Sequence, residues 1–333
     1  MKTISVMIPT YNEEENVLPI CEAIKEQLAQ YAGRYNYEIV FIDNCSTDHT
    51  RELLREMCIA DKRVKAILNA KNFGQGNSPY YGLCQTIGDC TIYMVADFQD
   101  PPEIIPRLIT EWENGYKIVA MIKTSSKESK LMYFVRSCYY KLVKSMSHIE
   151  IIEHFTGSGL YDKSFIDVLR NLDDTEPFLR GIVAELGFKR KDVEYTQQKR
   201  RAGKSTNNFF TLYDYAMISV TAYTKTGLRI ATFFGMIVSI LSILVSLVYF
   251  VLKLIFWPLM SFGMAPLTIG VFFIGGLQLF FLGFVGEYIM AINKRVMHHP
   301  LVIEEERINF ENSTKSQPSR SSEEKALTEQ LRI

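Results

Sequence analysis

An α/β fold, a doubly wound and mostly parallel sheet followed by a two-helix membrane hairpin, is what this sequence predicts, on three observations. Short apolar runs alternate with helix-period segments every 25 to 35 residues in the N-terminal part of the chain. Each run ends in polar residues, where the carboxyl edge of a parallel sheet places its ligands. Two uncharged stretches stand near the C-terminus, Ile230–Leu252 with 23 residues and Ala265–Gly286 with 22. Each exceeds the roughly 20 residues that a helix needs to cross a bilayer's hydrocarbon core.

The elements follow in order. Ile4–Ile8 reads as the first strand and ends in Pro9-Thr10-Tyr11-Asn12. Glu13, Glu14 and Glu15 then open a helix, since carboxylates favour its positive end, and Val17, Leu18, Cys21, Ile24 and Leu28 recur at helical spacing. The second strand, Glu38–Ile42, ends in Asp43-Asn44-Cys45-Ser46-Thr47-Asp48, with Ser46 or Thr47 available to cap the next helix. The third, Val64–Leu68, runs into Asn72-Phe73-Gly74-Gln75-Gly76 and a further helix. The fourth, Ile92–Val95, stops at Asp97, Gln99 and Asp100, and Pro101-Pro102 forbids its continuation. The fifth, Lys117–Ile122, ends at Lys123. Leu131–Met146 is an aromatic, basic amphipathic helix that suits either the core or a membrane surface, and Phe209–Tyr223 is a second candidate, aromatic but without a basic residue before Lys225.

Lysine plus arginine equal aspartate plus glutamate at 37 each, so overall charge selects no partner and gives no sign of nucleic acid binding. The six cysteines form no C-x-x-C pair and read as reduced thiols. His298 and His299 lack further ligands nearby. Lys225, Arg229, Lys294 and Arg295 flank the two apolar runs on one side, which places the N-terminal domain and the tail in the cytoplasm and the loop around Trp257 outside.

The stretch from Ile92 to Glu103 is the centre of the chemistry. Carboxylate and amide oxygens at a strand end suit a hard cation such as Mg²⁺, which also takes oxygens from substrate phosphates. An acidic turn before a helix is the other reading of the same residues.

Several motifs occur in order: PTYNEEENV (9–17), IDNCSTDHT (42–50), NFGQG (72–76), VADFQDPPE (95–103) and RRAGKS (200–205), then GEY (286–288) and HHPLVI (298–303). With them, roughly residues 3–305 resemble a family 2 glycosyltransferase of the GT-A fold. The branch is the polyprenyl-phosphate one, which includes dolichol-phosphate mannose synthase and bacterial undecaprenyl-phosphate glycosyltransferases. The resemblance implies an inverting transfer from a nucleotide sugar to a polyprenyl phosphate. It implies catalytic roles for Asp97, Asp100 and Arg200, and Mg²⁺ or Mn²⁺ on Asp97 and Gln99. It assigns nucleotide-sugar contacts to Pro9, Tyr11, Glu13, Asp43, Ala96, Asp97, Lys123, Arg201 and Lys204. Departures stand beside these matches: Val95 replaces the first acid of D-x-D, Asn44 and Cys45 replace Asp and Gly, and Gly157 and Gly159 replace an acid and an arginine. Thr206 and Asn207 follow the basic motif in place of lysine and tyrosine.

The expected organisation is a cytoplasmic catalytic domain at 1–205, a juxtamembrane helix at 206–228, two spans at about 230–252 and 265–287 within 229–292, and a tail at 293–333, disordered after about 310. The location is the cell membrane, multi-pass, and self-association is left open. Two other readings are a non-catalytic membrane scaffold on the same fold and a polysaccharide synthase. The second lacks its Q-x-x-R-W motif here, since neither Trp112 nor Trp257 follows an arginine.

Overall fold

Ile4, Val6 and Ile8 turn to one side of β1 (Lys2–Thr10) and Met7 to the other, all fully buried. A strand buried on both faces belongs in the middle of a sheet covered by helices on each side. The computed structural model describes residues 1–124, 152–172, 174–198, 200–201, 264–297 and 299–310, with scattered positions between 233 and 255. Within them the chain runs β1, α1 (Val17–Ala29), β2 (Tyr35–Asp43), α2 (Thr50–Ala60), β3 (Val64–Asn69), α3 (Gly74–Gln85) and β4 (Cys90–Tyr93). A 3-10 turn at Pro102–Ile104 leads into α4 (Ile105–Glu113) and β5 (Ile118–Lys123). After these come β6 (Phe155–Asp162), α5 (Lys163–Asn171), α6 (Leu179–Glu185), β7 (Arg190–Tyr195), α7 (Met264–Val296) and β8 (Glu304–Ile308).

The strands form a single sheet in the order β7-β5-β6-β4-β1-β2-β3-β8. β4, β1, β2 and β3 are mutually parallel, as are β5 and β7, while β6 runs antiparallel between β4 and β5. One apolar layer joins α1, α2 and α4 to the sheet through Ile20, Ile24, Leu54, Leu108 and Trp112. The opposite layer holds Tyr80 and Leu83 of α3 with Phe165, Leu169, Ile182 and Val183. The doubly wound α/β expectation therefore holds, with a mixed sheet.

Three strands went unpredicted. Glycines hide β6: a Cβ at Gly159 would lie 2.3 Å from the Val119 carbonyl oxygen, so the close approach of β5 requires glycine there. β7 and β8 are edge strands whose charged residues mask a period-2 pattern. β8 lies within the range expected as the tail. It pairs antiparallel with β3 and so adds an edge strand to the same sheet.

Local details differ as well. The acids at 13–15 precede α1, which begins at Val17. Neither Ser46 nor Thr47 caps α2, whose first residue Thr50 instead donates its N–H to Asp48. The described cysteines, Cys21, Cys45, Cys58, Cys84 and Cys90, are all free thiols.

The described residues contain one helix long and apolar enough to cross a membrane, α7, through Phe273–Met290, none of it buried against protein. Most of the predicted first span lies outside the described residues, so the hairpin is reduced to this one candidate. The amphipathic helices at 131–146 and 209–223, Lys204, and the tail beyond 310 also lie outside them.

Candidate active site

In the parallel part of the sheet, β1 leads to β2 on one side while β4 lies on its other side. The carboxyl ends of β1 and β4 thus flank the point where the strand order reverses, which is where such sheets open a ligand crevice. Glu13 leaves the end of β1 and Asp97 follows β4. Arg200, beyond β7, reaches back between them.

Arg200 donates from Nε to Asp97 Oδ2 at 3.0 Å and from one terminal nitrogen to Glu13 Oε1 at 3.1 Å. The other Glu13 oxygen accepts from Asn16 Nδ2 at 2.6 Å, and the Glu13 N–H donates to Thr50 Oγ1 at 2.9 Å. Asp97 Oδ1 accepts the Gln99 N–H at 3.1 Å. Both carboxylates are nearly hidden, at 8% and 7% exposure. Burial raises the Glu13 pKa, against the pull of Asn16 and Arg200.

The segment carrying Arg200 is fastened to the loop after β4 at several points. Tyr195 donates its hydroxyl to Asp100 Oδ1 at 2.6 Å, and Gln197 Nε2 donates to Gln99 Oε1 at 2.6 Å. The N–H groups of Gln198 and Arg201 donate to the carbonyls of Gln99 and Asp97. The Arg201 guanidinium lies 5.3 Å from the Phe98 ring centroid. Asp100 makes no helix cap. It is buried, and burial raises its pKa, with Asp97 adding to the rise and hydrogen bonds from Ser158 and Tyr195 and the charge of Lys123 opposing it.

The second wall comes from the end of β2. Asp43 is fully buried, accepts the Ser46 N–H at 3.0 Å and accepts the Ser46 hydroxyl as well. Ser46 Oγ in turn accepts the Asn12 N–H at 2.9 Å, so the loops after β1 and β2 are stitched together. Burial raises the Asp43 pKa against these hydrogen bonds and the charge of Arg51. Asn44 uses both ends of its amide: Oδ1 accepts the Phe73 N–H, and Nδ2 donates to Asn72 Oδ1 at 2.8 Å. An aspartate could only accept there. Asn12, Cys45 and Phe98 have left-handed backbones, with φ of 56°, 63° and 61°. Such strain in non-glycine residues gathers at functional sites.

Of the other predicted residues, Pro9 and Tyr11 are half-buried at the end of β1, Ala96 is buried, and Lys123 ends β5 with its charge felt at Asp100. Asn16, Arg51, Tyr195 and Gln197 were not foreseen. The pattern Val193-Glu194-Tyr195 is the one signal that could have exposed β7 and its terminal tyrosine. Among the described residues no three acidic, histidine or cysteine groups converge as a metal cage. Asp97 and Gln99 offer one carboxylate and one amide, and Val95 offers nothing. That set fits a cation held mainly by the phosphates of a substrate, because Mg²⁺ commonly takes only one or two protein carboxylates.

The glycosyl transferase family 2 profile matches residues 5–169. YkcC, a glycosyltransferase of Bacillus subtilis (strain 168), is 31% identical over 309 residues, covering 92% of this chain and 95% of its own. The bactoprenol glucosyl transferase of Shigella phage SfV is 30% identical over 301 residues, or 90% of this chain and 97% of its own. Among solved structures, mannosyl-3-phosphoglycerate synthase from Rubrobacter xylanophilus aligns with a TM-score of 0.46 at 16% identity, over 66% of this chain and 72% of that one.

Proposed function

Because the chain belongs to glycosyl transferase family 2 and is a glycosyltransferase, we propose that it moves a hexose from a nucleotide-diphosphate donor to a polyprenyl phosphate, inverting the anomeric carbon. The observation that carries this reading is the Glu13–Arg200–Asp97 bridge at the strand-order reversal. Arginine binds phosphate with charge-assisted, often bidentate hydrogen bonds, and two acids within its reach hold it at the mouth of the crevice. Relatives named bactoprenol glucosyl transferase, aligned along nine-tenths of both chains, support the lipid acceptor.

A phosphate monoester has its second pKa near 6, so a polyprenyl phosphate is largely dianionic at neutral pH. It needs no strong general base. What remains is to place it in line with the anomeric carbon and to stabilise the departing nucleoside diphosphate. Arg200 supplies that stabilisation, helped by Arg201 and, as the basic motif implies, Lys204. Mg²⁺ or Mn²⁺, held by Asp97 and Gln99 together with the donor's phosphates, would add positive charge at the leaving group. Pro9, Tyr11, Glu13, Asp43 and Ala96 hold the nucleoside side. Asp100 works through Tyr195, keeping the arginine segment against the loop after β4.

The catalytic domain sits in the cytoplasm against the membrane, with α7 spanning the bilayer and residues 230–252 forming a second span. Membranes containing the protein, given radiolabelled nucleotide sugars, polyprenyl phosphate and Mg²⁺ or Mn²⁺, should yield a labelled lipid. Absence of labelled lipid with every donor, while the protein remains folded, would refute the reading.

A further inference from the structure

Arg51, the second residue of α2, lies between two carboxylates that are distant in sequence. Its terminal nitrogen is 2.7 Å from Glu305 Oε2 in β8, and its Nε is 3.5 Å from Asp43 Oδ2 at the end of β2. The Arg51 side chain is 15% exposed and the Asp43 side chain 0%. The Nε is hidden from solvent and forms no hydrogen bond. Its position is therefore fixed from outside the pocket, by Glu305, more than by a bond to Asp43. From Asp43 the contacts continue to Ser46 and then to the Asn12 N–H, next to Glu13. We propose that Glu305 is a positioning residue for nucleotide binding: it fixes Arg51, which in turn supplies the positive charge against the buried Asp43.

The placement of Glu305 gives this its consequence. β8 follows α7 after a short link in which the Ile303 carbonyl accepts the Ala70 N–H at 2.9 Å and Val302 is buried. The sequence neighbour Glu306 pairs with Arg55, one turn further along α2 and away from Asp43. Two adjacent glutamates thus make similar ion pairs to one helix, and only one of those pairs touches the proposed donor pocket. The strand that leaves the apolar helix is then a wall of the donor site as well as a structural edge. This rests on the donor-site reading given above for Asp43.

The test uses the full-length protein in detergent, titrated calorimetrically with UDP, GDP, CDP and ADP. Glu305→Gln should weaken binding of the preferred nucleotide by roughly two- to fivefold, as expected for an ion pair with one exposed partner. KM for the matching sugar nucleotide should rise by the same factor with kcat altered less than twofold. Glu306→Gln should leave binding unchanged while costing similar thermal stability. In an Arg51→Gln background, adding Glu305→Gln should have no further effect, because coupled residues are not additive. Equal binding by wild type and Glu305→Gln, equal effects of the two glutamate variants, or full additivity with Arg51→Gln would overturn the inference alone. Failure of the wild-type protein to bind any of the four nucleotides would instead remove the donor-site reading, and this proposal with it.

Discussion

Glu13, Asp97 and Arg200 are separated by up to 187 positions in the chain and meet within hydrogen-bond distance. Two nearly buried carboxylates beside one guanidinium leave the cluster one positive charge short, which suits it to a cation or a second arginine arriving with a phosphate-bearing donor. Asp97→Asn keeps the shape but removes the charge and loosens Arg200, so turnover should fall at least about tenfold, or about 1.4 kcal/mol in barrier, in a steady-state assay. Equal turnover would sink the assignment of Asp97. Arg200→Lys keeps the charge, yet a single ammonium cannot reproduce the fork that spans Asp97 and Glu13, so transfer should drop clearly while thermal stability stays near wild type. At this scale the sequence was informative about motif residues and silent about their partners. Asp97 and Arg200 stand in recognisable runs, whereas Tyr195, Gln197 and Arg51 act through contacts made only when distant loops fold together. Asn44 looked like a loss beside its relatives, and the structure shows a donor and acceptor both in use.

Elements with strong periodicity were legible, and elements shaped by tertiary demands were not. α1, α2, β1, β2, β3 and β5 follow the apolar pattern, whereas β4 ends at Tyr93, short of the expected Val95, and α3, with three glycines and Pro79, carries no clear apolar stripe. β6 needs glycine where β5 approaches, and β8 draws on ion pairs and on Asn309, which donates to the carbonyls of Cys58 and Val64. The junction of β6 and α5 offers a stability test. Asp162 caps α5 by accepting the Ser164 N–H at 3.0 Å, and also accepts from Trp112 Nε1 and Lys117 Nζ. Burial works to raise its pKa, but the hydrogen bonds from Ser164, Trp112 and Lys117 outweigh it and leave the value lowered. A carboxylate with a lowered folded pKa stabilises the fold above its unfolded value, near 4, and that stabilisation disappears as pH falls through the folded value. Asp162→Ala should therefore cost about 1–2 kcal/mol at pH 7, with the gap to wild type closing below about pH 4 in thermal unfolding scans. A gap independent of pH would show that Asp162 contributes by shape and not by charge.

For the whole molecule, the sheet, the apolar helix and the returning edge strand form a connected path. α7 spans about 50 Å at 1.5 Å per residue, more than the hydrocarbon core requires. Its C-terminal turn places Arg295 4.0 Å from Asp174, and β8 then closes the sheet beside β3. The proposed topology, with a second span at 230–252 and both chain ends in the cytoplasm, is open to a labelling test. On a cysteine-free background, a membrane-impermeant thiol reagent applied to intact cells should label a cysteine at position 261 and spare one at 313. The reverse pattern would put the donor site on the wrong side for a soluble nucleotide sugar. The central claim is attack by a lipid phosphate on the anomeric carbon, and the linkage of the labelled product tests it most directly. A glycosyl phosphate should release its sugar in mild acid, resist mild alkali and show the β configuration by NMR when the donor is α-linked. A free polysaccharide, or a sugar bound to a lipid hydroxyl and stable to that acid, would contradict it.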